Sequence, residues 1–97
     1  MYSAFKYTPD PLTGWNEVYN QAPEPAIVKD YRIYISSLPA SEQTHIGPIF
    51  YFKDAEGKHA IKFEIAVGWT NWTHVLFYDE KNKRIKVVKY VSGHSLS

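Results

Sequence analysis

From residue 48 to residue 91 the apolar side chains recur at every second position, and that period demands a β-sheet. Segments 48–54, 59–67, 72–79 and 84–91, rich in β-branched and aromatic residues, read as four successive strands. Register is testable, because a slip of one residue turns every side chain of a strand to the opposite face. A hairpin turning at Glu56-Gly57 sets Phe52 opposite Ile61 and Phe50 opposite Phe63. A four-residue connection, Gly68 to Asn71, sets Ile65 opposite His74, Phe63 opposite Leu76 and Ile61 opposite Tyr78. A turn at Lys81-Asn82 sets Leu76 opposite Val87 and Tyr78 opposite Ile85. These three turns agree on one apolar face holding Phe50, Phe52, Ile61, Phe63, Ile65, Val67, Trp72, Leu76, Tyr78, Ile85, Val87 and Val91. At ~1.5–3 kcal/mol for each large side chain fully buried, such a face drives folding.

The reverse face in this register carries Tyr51, Lys62, Glu64, Val75, Phe77, Arg84, Lys86, Val88 and Tyr90. A solvated face is normally polar and charged. Two tyrosines, a phenylalanine and two valines among lysines and arginine imply instead a face that another element covers or that binds a partner.

The first third of the chain is less regular. Residues 2–7 alternate like a short strand. Asp10-Pro11 has the form of an N-cap followed by proline at the first helical position. Leu12, Trp15, Val18, Tyr19 and Ala22 continue at helical spacing to Pro23, which predicts a helix; Gly14 weakens it by up to ~1 kcal/mol. Pro23-Glu24-Pro25 reads as a stiff extended connector. Ile27, Lys29, Tyr31, Ile33 and Ile35 then alternate with Val28, Asp30, Arg32 and Tyr34, which predicts a further strand to about residue 37. Pro39 to Thr44 is a loop or one helical turn. The expected fold is therefore mainly β, or α+β if the helix is counted: an antiparallel β-meander of about five to six strands, a curled sheet or small open barrel, with one short N-terminal helix.

Composition narrows the class. The 97 residues suit a single domain, 1–97, with no linker or internal repeat. With 44% hydrophobic, 16% aromatic and 22% charged residues, the chain is not a disordered tail, a collagen or a coiled coil. No apolar run approaches the ~20 residues of a membrane span. The absence of cysteine excludes a disulfide scaffold and zinc–thiolate chemistry. With no signal-peptide core at residues 1–6, it sets the expectation of a cytoplasmic protein. A formal charge of +1 names no nucleic-acid or membrane partner.

Catalytic patterns are wanting. His45, His59, His74 and His94 lack metal-ligand spacing and read as unrelated surface or rim histidines, so neither metal nor cofactor is expected. Gly93-His94-Ser95-Leu96-Ser97 follows a strand and begins like the Gly-x-Ser-x-Gly nucleophile elbow, but its fifth residue is serine and no helix follows. Asp54, Glu56, Asp79 and Glu80 flank hairpin turns, where acidic residues serve the turn itself. Asn71-Trp72-Thr73 matches a glycosylation acceptor without a secretory context.

Two features remain. Lys81, Lys83, Arg84, Lys86 and Lys89 give residues 81–97 a formal +5 with no acid among them. They are either a nucleic-acid contact or lysines that keep an edge strand from pairing with other chains. Trp69, in the loop ahead of Trp72, either anchors a partner or folds back over the end of the core. The resulting expectation is a non-enzymatic, protein-binding domain, of the kind found as an inhibitor or accessory factor of phage or mobile-element type. Its partner-binding residues are Tyr51, Lys62, Trp69, Phe77, Arg84, Lys86 and Tyr90. A single-stranded nucleic-acid binder using the aromatic face and basic hairpin is the alternative, and a carbohydrate-binding module the third.

Overall fold

A computed structural model describes residues 10–94, with backbone alone considered at 93 and 94. Its elements are β1 (Asn16–Glu17), α1 (Pro25–Ser36), α2 (Ala40–Gln43), β2 (Phe50–Lys53), β3 (His59–Val67), β4 (Thr70–Tyr78) and β5 (Arg84–His94). The strands form one antiparallel sheet in the order β1-β2-β3-β4-β5, a meander that stays open and does not close into a barrel. The expected strand at residues 2–7 lies outside the described residues.

Helix and strand exchange places in the first third. Asp10-Pro11 opens a turn and not a helix: the Asp10 carboxylate accepts from the Leu12 N–H at 2.9 Å and its carbonyl from the Thr13 N–H at 3.1 Å. Proline after an acceptor side chain starts turns as readily as helices. Gly14, at φ +88°, then swings the backbone into the left-handed region and ends the helical path, so Asn16 and Glu17 pair with Lys53 and Phe52.

The segment read as a strand is helix α1. Pro25 sits in its first turn, and Ile27, Tyr31, Tyr34, Ile35 and Leu38 form a stripe toward the sheet. Lys29, Arg32 and Ile33 are exposed on its outer side. Period two and period 3.6 coincide at Ile27, Tyr31 and Ile35; the inward Tyr34 and the outward Ile33 distinguish them. The Ser36 and Ser37 hydroxyls donate to the Ile33 and Tyr34 carbonyls at 2.8 and 2.6 Å, and Pro39 follows. That satisfies late carbonyls and stops the helix.

Strands β2 and β3 pair one residue away from the expected register: Tyr51 faces Ile61, Phe52 faces Ala60 and Phe50 faces Lys62. The turn is the cause. It spans three residues, with the Gly57 N–H donating to the Asp54 carbonyl, Gly57 at φ +85°, and Asp54 paired with Lys58. The same device closes β4–β5, where Asn82 at φ +63° takes the glycine's place between Asp79 and Lys83. In both, the aspartate Oδ1 accepts two backbone N–H groups, from Glu56 and Lys58 or from Lys81 and Lys83, at 2.8–2.9 Å.

Between β3 and β4 the connection is the two residues Gly68-Trp69, so Phe63 faces His74 and Ile61 faces Leu76. The shift from expectation is two residues, which keeps every face assignment. Leu76 faces Val87 as the sequence predicts, but a bulge near Tyr78 pairs that residue with Arg84 and not Ile85.

Two cores result. On the helix side Tyr51, Ile61, Phe63, Ile65, Leu76 and Tyr78 pack with Ile27. On the reverse side a smaller cluster joins Leu12, Phe52, Ala60, Val75 and Phe77, with Trp15, Val88 and Tyr90 against it.

Candidate functional site

The seven residues expected to bind a partner divide among three places. Tyr51 is on the helix side and only 4% exposed; its hydroxyl hydrogen-bonds His59 Nδ1, and the two rings stack 2° from parallel. The one-residue slip of β2 moves it there. Arg84 is also on the helix side, carried by the bulge. Its Nε lies 3.5 Å from Asp30 Oδ2 and its guanidinium 5.1 Å from the Tyr34 ring centre.

Lys62, Phe77, Lys86 and Tyr90 stay on the reverse side without forming an open aromatic patch. Phe77 is 6% exposed beneath the edge-on ring of Trp15, 5.4 Å away. Lys86 Nζ stands 4.8 Å over the Phe77 ring, and Lys62 Nζ lies 5.5 Å from the Phe52 ring and 5.7 Å from Phe50. Tyr90 is half-buried, and burial foremost, then the nearby Asp10 charge, holds its phenol above the usual range. Trp69 is 66% exposed at the β3–β4 tip, so it does not fold back over the core.

A polar chain that the sequence does not reveal ties α1 to the sheet. Tyr78 donates to Asp30 Oδ2 at 2.7 Å, Arg84 pairs with the same oxygen, and the Tyr34 hydroxyl meets His74 Nδ1 at 2.8 Å. Burial and the Asp30 contact hold the Tyr78 phenol strongly in its protonated form. His74 is almost wholly buried and stacked on Phe63; burial, with Lys89 adding repulsion, pushes its pKa down to about 4. With its partners engaged inside the fold, this chain fastens helix to sheet. Among the described residues no three His, Asp or Glu side chains gather as a metal-binding group, and no helix is long and apolar enough to cross a membrane.

Exposed apolar side chains lie along β5 and at the β3–β4 tip, and also at Tyr19, Ile33, Ile49 and Phe50. The α1 side chains reach as far as Arg84, leaving Val87 and Val91 exposed on the helix side and Ile85 exposed at 59% on the bulge. Val67 and Trp69 are exposed at the adjoining β3–β4 hairpin. Strand alternation gave these valines and Ile85 to the core, because a period tells which face a residue occupies and not how far a helix extends over it. Compared with protein-family models, curated proteins and solved structures, the chain matches none.

Proposed function

We propose that this chain is a small non-enzymatic domain that binds another protein, acting as an inhibitor or accessory factor does, by occupying part of a partner's surface. The observation that carries the reading is the set of exposed apolar side chains on β5, Ile85, Val87 and Val91 with Lys89 among them, together with Val67 and Trp69 at the neighbouring tip. Exposed apolar residues gathered in one place mark interaction surfaces, whereas scattered ones need no explanation. A bulged aliphatic and an outward tryptophan have the form of interface anchors.

The test is capture from native lysate, in the presence of nuclease, with the wild-type domain and with Trp69→Ala and Ile85→Ser variants that melt like it. A protein retained by wild type and lost by both variants is the expected result. The second reading, single-stranded nucleic acid, draws on the exposed Lys81, Lys83, Lys86 and Lys89. It predicts nuclease-sensitive retention that falls steeply with salt through counterion release.

A further inference from the structure

Among the described residues, β4 pairs with one edge of β5 and no strand pairs with the other. An edge strand of 11 residues presents a row of backbone N–H and C=O groups able to bind an extended chain. The side chains decide which chain. Lys86, Val88 and Tyr90 stand on the reverse side, opposite Phe77, Val75 and Thr73; Val87, Lys89 and Val91 stand on the helix side, opposite Leu76, His74 and Trp72. A strand laid along this edge therefore meets a cation, two apolar residues, a second cation and two more apolar residues in turn.

The geometry points to the β5 edge taking up an acidic extended segment of a partner protein as a sixth strand, with the order acid–apolar–apolar–acid–apolar–apolar. This rests on the protein-binding reading and names the chemistry of its partner. Acids three residues apart on a strand project to opposite faces, so one meets Lys86 and the other Lys89. The formal +5 of residues 81–97, with no acid among them, adds attraction along the whole edge. The same charges oppose a second copy of this chain. The antiparallel two-fold register that sets Val87 against Val91 and Val88 against Tyr90 also sets Lys89 against Lys89.

The experiment adds a soluble synthetic peptide containing Glu-Val-Val-Glu-Val-Val to the isotope-labelled 97-residue chain and follows amide hydrogen exchange and chemical shifts. Two further peptides serve as comparisons, one with lysine for both glutamates and one with proline in the central pair. Outward amides of β5 should exchange freely in the protein alone and become protected on adding the acidic peptide. The lysine peptide should bind about tenfold more weakly, from two cross-strand ion pairs lost and reversed. The proline peptide, lacking a main-chain donor, should give no protection. Protection before any peptide is added overturns the proposal, because the edge is then already paired by this chain or a second copy. Equal binding of acidic and lysine peptides, undiminished binding of the proline peptide, or β5 shifts with an oligonucleotide and none with peptide overturn it as well. A lysate protein retained equally by wild type and a Lys86→Glu/Lys89→Glu variant ends this proposal and spares the wider reading; failure to capture any protein ends both.

Discussion

On the helix side of the sheet, Phe63 is sealed by α1, with Tyr31 edge-on at 5.2 Å and His74 stacked at 5.3 Å. On the reverse side, Phe77 is closed by a single turn of chain through Leu12 and Trp15. The first face gains a secondary element whose own backbone bonds are satisfied internally. The second gains a lid held by Asp10 hydrogen bonds and two apolar side chains. A face closed this way still buries its central residues, since Ala60 and Val75 are fully buried, but a lid of one turn can settle into the space a truncated side chain leaves, so less of the cavity remains. Stability should therefore divide unequally between the faces.

The largest expected effect tests that inequality. Phe63→Ala should cost about 4 kcal/mol and Phe77→Ala about 3 kcal/mol, both read from denaturant unfolding. Equal costs would show two cores of the same strength, and the reverse order that the reverse-side cluster is the stronger.

Next comes acid. The pKa of His74 stands near 4 in the folded protein against 6.5 in an unfolded chain. Between these values the unfolded state binds the extra proton. Stability should thus fall as pH drops from about 6.5 to 4, by an amount on the order of 3 kcal/mol, and this contribution should level off below 4. A His74→Gln variant should lose that slope while keeping the rest of its pH profile. An unchanged slope would assign the acid sensitivity to a group other than His74, His59 beside Tyr51 being the next one on this side.

Much of the sheet was legible because period two survives errors of detail. The β3–β4 connection is two residues shorter than expected, yet Phe63, Ile65 and Leu76 kept their face, since a shift of two preserves parity. The β2 assignment failed on one extra turn residue, and Tyr51 exchanged faces with Phe50 and Phe52. The swap of helix and strand in the first third had a different origin. Ile27, Tyr31 and Ile35 satisfy both periods, so the exposed Ile33 and the inward Tyr34 are what discriminate. The site was least legible: burial of Phe77 depends on Trp15, and exposure of Val87 and Val91 on the reach of α1, neither of which alternation records.

Smaller effects sharpen the comparison at the turns. Asp54→Ala and Asp79→Ala each remove an acceptor of two backbone donors, and each should cost about 1 kcal/mol in thermal or chemical unfolding. Asn82→Gly should stabilise by several tenths of a kcal/mol, because glycine adopts the left-handed backbone there more readily. The smallest effect is expected of Lys86→Ala, about 0.5 kcal/mol or less, since an exposed ammonium over Phe77 adds little to the lid.

Strand order equal to chain order has a kinetic consequence. Each strand of the sheet needs only its predecessor in sequence, so the three hairpins from β2 to β5 can assemble by successive short loop closures. The long excursion is the one through α1 and α2, which must close before β1 can reach β2. The final three strands should therefore gain exchange protection early in refolding and β1 late, with the Trp15 ring reporting the last event by fluorescence.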